Sequence, residues 1–264
     1  TNIGRHDALR DLTGNIAYER FSGPQIRKFY QDEPESYNET SNICLVSSFV
    51  ASVLAGKPVG IDPGDASGTN LMDISKQKWS RRVLEATAPN LAKKLLPISN
   101  PQTTVGKISN YFATRYGFNS SCKILPFSGD NPSSLIGLGL VEPGRIALSL
   151  GTSDTLFACM NSPQVSHSDE GCVFASPDGK NYMALVCFLN GSLAREAIRD
   201  SYHLGWKEFT QALKETPPGN NGGLILPYFS QEITPKVSNP CVIRDKLNES
   251  DAKANIRAVV EAQA

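Results

Sequence analysis

Two apolar runs, Arg145-Ile146-Ala147-Leu148-Ser149-Leu150 and Thr155-Leu156-Phe157-Ala158-Cys159, flank the turn-forming residues Gly151-Thr152-Ser153-Asp154. Both runs have the length and apolar content of a strand, so the stretch predicts a β-hairpin. Tyr182 to Phe188 predicts another strand, and Gly191 to His203 a helix after it. Lys207 to Lys214 reads as a helix, and Gly222 to Tyr228 as a strand leaving a glycine-rich loop. Strands that alternate with helices, with a hairpin among them, constrain the chain to an α/β fold with a mixed sheet rather than a purely parallel one. With 264 residues, 40% of them apolar, the chain can hold one large domain or two of ordinary size.

Upstream the pattern is mostly helical. Arg5 to Thr13 predicts a helix ending near Gly14. Ser22-Gly23-Pro24 starts another, with Ile26, Phe29 and Tyr30 on one face. Asn42 to Leu54 fits a strand followed by a buried helix, and periodicity leaves the two open. Asp62 to Thr69 reads as a long turn. Met72 to Ala88 reads as an amphipathic helix with Trp79, Val83 and Leu84 inward. Pro89 to Gly106 is a proline-rich connection, and Lys107 to Tyr116 a helix stopped by Gly117. Lys123 to Phe127 predicts a short strand. Thr1 is not an initiator methionine and the helix predicted over Ala252 to Ala264 simply stops, so both ends read as cuts in a longer chain.

Lys plus Arg and Asp plus Glu stand at 26 each, for a net charge of zero. That argues against a protein that grips nucleic-acid backbone, which needs a basic excess. The basic run Lys76, Lys78, Arg81 and Arg82 therefore reads as a solvated helix face. No apolar run approaches the ~20 residues of a membrane span. The six cysteines show no C-x-x-C spacing and the three histidines no ligand pattern, so no metal site is expected. The cysteines read as reduced, buried thiols of an intracellular protein.

Ser128-Gly129-Asp130-Asn131-Pro132-Ser133-Ser134 carries one of two candidate chemical turns. Asn is a strong N-cap and Pro is favoured at the first helical position, so Asn131 is expected to cap a helix through Leu138. Asp130 then stands just outside the helix N-terminus, whose dipole favours a negative charge. It either supports the cap or accepts a proton in catalysis, and local pattern leaves both open. In the second turn, Gly151, Thr152 and Ser153 offer backbone N–H groups and two hydroxyls. They form either an ordinary polar hairpin turn or a phosphate nest. No Walker loop occurs, and Gly137-Leu138-Gly139 lacks the third glycine of a dinucleotide fingerprint.

In order along the chain come Leu12-Thr13-Gly14 with Ala17 to Phe21, Asp65 to Leu71, Ser128 to Pro132, Ser149 to Thr155, Tyr182 to Leu185, Asn190-Gly191-Ser192 with Arg195 and Glu196, and Glu232 to Pro235. In this set the chain resembles the FGGY family of carbohydrate kinases, nearest its eukaryotic xylulose-kinase branch. The resemblance implies an actin-like, ribonuclease-H-like α/β fold of two domains. Residues 1–141 would be the C-terminal part of a sugar-binding domain and 142–264 the N-terminal part of an ATP-binding one. It implies ATP-dependent phosphorylation of D-xylulose at its 5-hydroxyl, with ribulose, glycerol or gluconate kinases and a non-catalytic sugar-binding remnant as alternatives. Asp130 would be the general base, Arg20, Asp130 and Asn131 would hold the sugar, Gly151, Thr152 and Ser153 the ATP phosphates, and Trp206 would lie near the nucleotide. Mg²⁺ would bridge the phosphates through water and substrate oxygens. Nucleic acid and membrane are not expected as partners, and a cytoplasmic location is. Family members begin with an Asp-bearing Gly-Thr phosphate loop, and nothing like it precedes Thr1. A Gly-Gly-x-x-x-Asn adenosine segment is expected beyond Ala264. The resemblance thus implies an internal piece of the kinase, inactive by itself.

Overall fold

The computed structural model describes residues 6–166 and 170–263, so the expected helix start at Arg5 lies outside the described residues. The chain divides into two compact units, residues 1–147 with 157–185 and residues 148–156 with 186–264.

The helical first part holds α1 (His6–Thr13), α2 (Ser22–Asp32), α3 (Pro34–Glu39), α4 (Val46–Ala55) and α5 (Pro63–Ser67). A hairpin of β1 (Met72–Asp73) and β2 (Lys78–Trp79) follows, then α6 (Arg81–Thr87) and α7 (Leu91–Lys94). Next come β3 (Gly106–Lys107), α8 (Asn110–Tyr116), β4 (Lys123–Ile124) and α9 (Asp130–Gly137). Strands β5 (Ile146–Leu150), β6 (Asp154–Met160), β7 (Cys172–Ala175) and β8 (Tyr182–Phe188) form one sheet in the order β5-β6-β8-β7. The last part carries α10 (Ser192–Ser201), α11 (Trp206–Glu215), β9 (Leu224–Tyr228), β10 (Glu232–Ile233), β11 (Lys236–Val237), β12 (Cys241–Asp245) and α12 (Ala252–Glu261). The β7–β8 and β9–β12 pairs are antiparallel, and two single bridges, Ile43–Leu95 and Ile61–Ile98, are parallel.

In the first unit, Ile26 of α2 packs with Tyr37, Leu71, Val83, Leu84 and Leu91. Phe29 and Tyr30 lie against the same cluster, as the spacing in α2 predicts. Tyr37 is fully buried; its hydroxyl donates to the Pro89 carbonyl at 2.8 Å and the Lys94 ammonium sits 4.9 Å from its ring centre. A second cluster joins Ile61, Ala66, Met72 and Ile74 to Val173 and Ala175 of β7. Polar groups key these pieces together. The Asn15 amide donates to the Val173 carbonyl at 3.0 Å and accepts from its N–H at 3.2 Å, so one side chain mimics a strand neighbour. In the second unit, Ala194 and Ile198 of α10, Phe209 and Ala212 of α11, Ile225 of β9 and Ile256 and Val259 of α12 form the core.

Several expected elements differ. Asp62 to Thr69 is not a loose turn but contains α5, because Asp62 caps it: its carboxylate accepts from the N–H groups of Asp65 at 2.9 Å and Gly64 at 3.0 Å. Met72 to Ala88 is a hairpin and then a short helix. Asp73 accepts the Lys76 N–H at 3.0 Å, and Gln77 adopts φ +50°, which a helix cannot contain. Val83 and Leu84 are nonetheless buried. Helix α4 is not a buried helix throughout, since Ser48 and Ala51 face inward while Val46, Phe49 and Val53 are exposed. Helix α8 starts at Asn110, with Lys107 in β3, and ends as expected at Gly117, whose φ of +72° is left-handed. The Pro-rich connection contains α7. Of the cysteines read as buried, Cys159 is, whereas Cys122 and Cys241 are exposed.

Candidate active site

The first turn of α9 carries Asp130 and Asn131. The helix begins two residues earlier than the Asn-Pro pattern predicts. Gly129 is the N-cap, its carbonyl accepting the Ser133 N–H at 3.0 Å, and Asp130 is the first helical residue. Pro132 falls at the third position instead of the first. A proline is tolerated there because none of the first N–H groups of a helix has an intrahelical partner. Asn131 therefore does not cap. Its N–H donates to Asp130 Oδ1 at 2.8 Å, and the Asp130 side chain is exposed while Asn131 is half-buried.

A second carboxylate lies against this turn. A Cβ at Gly129 would come within 2.8 Å of Asp65 Oδ1, so the two residues are in direct contact. The Ser47 hydroxyl donates to the other oxygen of Asp65. Burial raises the Asp65 carboxyl above the usual range; the Ser47 bond opposes the rise and repulsion from Asp130 adds to it. Beneath it Asp62 is fully buried, accepting from the Ser128 hydroxyl at 3.1 Å besides its two capping bonds. Burial pushes Asp62 up to about 6; the bonds from Asp65, Gly64 and Ser128 pull it down, and the charge of Asp65 pushes it further up. Gly64 fits closely too, since a Cβ there would meet Asp62 Oδ2 at 2.9 Å and Ser128 Oγ at 3.1 Å. Three acidic residues thus stack behind and at the α9 N-terminus. Arg20 stands in the exposed turn before α2, where the Phe21 N–H donates to the Tyr18 carbonyl at 3.0 Å.

In the second unit the Gly151–Ser153 turn opens α10's end of β6. Thr152 and Ser153 are exposed and Gly151 is half-buried. Asp154, 2% exposed, follows at once; its carboxylate takes the Gly151 N–H at 3.2 Å and both terminal nitrogens of Arg195, at 3.0 and 3.3 Å. The Ser192 N–H donates to the Gly151 carbonyl at 2.8 Å. Nearby, Glu232 is buried and accepts the N–H groups of Leu189, Asn190 and Ile233 at 2.8, 3.0 and 2.8 Å and the Asn190 amide at 2.9 Å. Burial pushes its carboxyl up, but these donors together outweigh burial and hold it below the usual carboxylate range. Trp206 opens α11 with 48% of its surface exposed. The Arg199 guanidinium lies 4.4 Å from the Trp206 ring centre, and Phe209 meets the ring edge-on.

The structure joins Asp130 to Asn131, and Gly151 to Thr152 and Ser153, within single turns. Sequence reasoning gave no site role to Asp62, Asp65, Asp154 or Arg195. For Asp62 the available signal was Asp62-Pro63, the same cap-and-proline pattern read at Asn131-Pro132, and Asp65, Asp154 and Arg195 stood within the family-like stretches. Among the described residues no three His, Cys, Asp or Glu side chains gather as a metal site, and no helix is long and apolar enough to cross a membrane.

Comparison with known proteins gives these turns a context. The profile of the FGGY family of carbohydrate kinases, N-terminal domain, matches residues 1–137. The xylulose kinase of Mus musculus is 45% identical over 270 residues, covering 99% of this chain and 48% of that protein. The chain spans about half the length of the curated relatives it matches. Among solved structures, xylulose kinase from Rhodospirillum rubrum matches with a TM-score of 0.87 at 18% identity, covering 98% of this chain and 53% of that one. Gluconate kinase from Lactobacillus acidophilus matches equally well, with a TM-score of 0.87 at 19% identity over 97% of this chain and 53% of that one. The shared fold is the α/β actin-like ATPase, or ribonuclease-H-like, fold. This chain belongs to the FGGY family of carbohydrate kinases.

Proposed function

We propose that the protein at its full length transfers the terminal phosphoryl group of ATP to the 5-hydroxyl of D-xylulose, giving xylulose 5-phosphate. The observation that carries this reading is the 45% identity to a xylulose kinase across 99% of the chain. Residues 1–141 then belong to the sugar-binding domain and 142–264 to the ATP-binding domain, a division supported by the family match over residues 1–137.

Asp130 is the general base of this reading. Its exposed carboxylate, in the first turn of α9, suits a group that must reach a substrate hydroxyl. The sugar O5 forms a bond to the γ-phosphorus while the bond to the β–γ bridging oxygen breaks, and ADP leaves with that oxygen. The O5 proton passes to Asp130 late, when the attacking oxygen has become acidic. Asn131, beside the base, and Arg20 hold sugar hydroxyls. The Gly151, Thr152 and Ser153 turn holds phosphate oxygens, Thr152 and Ser153 through their N–H groups and two exposed hydroxyls and Gly151 by shaping the turn, its own N–H being donated to Asp154. The half-exposed Trp206 ring lies at the nucleotide. Mg²⁺ would be carried by phosphate oxygens and water, and would neutralise phosphate charge there. A cytoplasmic location belongs to the same reading.

The equal match to a gluconate kinase supports a second reading, a kinase for another sugar or polyol, because the fold itself does not select the acceptor. An ADP-release assay across ketopentoses, polyols and sugar acids separates the two, and a preference for glycerol or gluconate would overturn the xylulose reading. In the full-length protein Asp130→Asn should lower turnover by on the order of 10²–10⁴-fold while xylulose affinity changes little. Normal turnover in that variant removes Asp130 as the base.

A further inference from the structure

The Gly151–Ser153 turn is not held by its own backbone alone. Asp154, the residue that follows it, is nearly inaccessible, and one of its oxygens bonds back to the Gly151 N–H at 3.2 Å. Both oxygens face Arg195, at 3.0 and 3.3 Å, in a two-pronged pair between β6 and α10. The Arg195 side chain is 15% exposed and also donates to Gln263 Oε1 at 2.7 Å. Gln263, just past α12, donates its amide to the Gly191 carbonyl at 2.8 Å and also to that of Asn190. Gly191 in turn touches the turn directly. A Cβ there would lie 2.7 Å from both the Thr152 carbonyl oxygen and the Asp154 nitrogen. The ring of contacts closes with the Ser192 N–H on the Gly151 carbonyl.

A buried ion pair is a poor device for stability alone, because removing two charges from water offsets much of their attraction. It is a good device for fixing geometry, since a guanidinium and a carboxylate meet in one planar arrangement. Here the fixed object is the turn, and its outward face carries Thr152 and Ser153. We propose that Asp154 and Arg195, steadied by Gln263, are positioning residues that hold the Gly151–Ser153 turn in the shape that receives the ATP phosphates. The proposal rests on the kinase reading above. None of the three side chains needs to touch the nucleotide. Their effect is to spare the turn from reorganising when phosphate arrives, so it belongs to ATP and not to the sugar.

The test compares wild type with Asp154→Asn, Arg195→Lys and Gln263→Ala in the full-length protein. Steady-state kinetics is run with each substrate varied, and direct binding of ADP is measured by calorimetry. Asp154→Asn keeps the shape and an acceptor for Gly151 but loses the ionic pair. It should raise KM for ATP and weaken ADP binding at least about tenfold, with KM for xylulose within about twofold. Arg195→Lys keeps the charge but not the fork and should show the same pattern; Gln263→Ala should show it more weakly. A purely structural role would lower the amount of folded enzyme and leave both KM values and the ADP affinity of the folded fraction unchanged, and that result overturns the proposal. If Asp154→Asn does not fold, Arg195→Lys and Gln263→Ala decide by the same criterion. Wild type that neither binds ADP nor phosphorylates any sugar refutes the kinase reading itself, a result distinct from wild-type activity with insensitive variants.

Discussion

The carboxylate of Asp65 fills the space that a side chain at position 129 would need: a Cβ on Gly129 would lie 2.8 Å from Asp65 Oδ1. The backbone there, at φ −68° and ψ 167°, is open to any residue. The glycine is therefore required by its neighbour and not by its own conformation. Gly129→Ala should displace either Asp65 or the start of α9, and with it Asp130. A stability loss of about 1–3 kcal/mol is expected from overpacking, with at least a tenfold fall in kcat of the full-length enzyme. Denaturant titration and steady-state kinetics check both. In an Asp65→Ala background the obstacle is gone, so the same substitution should cost much less; an undiminished cost would show that Asp65 is not what excludes the side chain.

Asp62 makes stability depend on pH in an unusual direction. Its folded carboxyl sits at about 6, against 3.8 when unfolded. Between these values the folded state holds a proton that the unfolded state has released. The Asp62 contribution is therefore fully present below pH 3.8 and declines as pH rises to about 6. Relative to Asp62→Asn, the wild type should lose unfolding free energy between pH 4 and pH 6 and hold a constant difference above that. Urea denaturation of both proteins at half-unit steps reads this difference, and a rise with pH would contradict the assignment.

Glu232 behaves oppositely. Held below the usual range by three backbone N–H groups and the Asn190 amide, which outweigh burial, it contributes stability above its unfolded value of 4.5. That contribution is lost as pH falls through the lower folded value. Glu232→Gln turns an amide NH₂ toward donors, and a loss of about 3 kcal/mol at pH 7 is expected from charged hydrogen bonds given up and donors left unpaired. The gap between wild type and variant should narrow below pH 4.5. Thermal denaturation at pH 7 and pH 3.5 measures it, and a constant gap would mean that Glu232 acts through shape and not charge.

From residue 182 onward β8, α10, α11, β9 and α12 were legible in the sequence because their signals are local, whereas β10, β11 and β12 were not read. Tyr182 to Phe188 is one apolar run, and Ser192 and Trp206 each follow a glycine. The stretch from Met72 to Ala88 misled because Trp79, Val83 and Leu84 recur at helical spacing while belonging to two elements that face related cores. The deciding contact, Asp73 on the Lys76 N–H, leaves no trace in apolar periodicity. The cap grammar worked in reverse at two places. Asp62-Pro63 obeys it and was read as a turn; Asn131-Pro132 carries the same pattern, yet the helix starts at Asp130 because a proline fits anywhere in a first turn. Of the candidate site, Asp130 and the Gly151–Ser153 turn stand out in sequence. Their supports, Asp65 sixty-odd residues upstream and Arg195 some forty downstream of the residues they brace, are brought near only by the fold.

Gln263, Arg195, Asp154 and Gly151 form an unbroken polar path from the end of α12 to the hairpin turn. Apolar contacts slide; hydrogen bonds between planar groups have a fixed length and direction. A shift of an ångström at the end of α12 must therefore either snap a link or drag the turn with it. In mechanical terms that path is a tie-rod, and it makes the last turn of the described chain a handle on the loop that precedes β6.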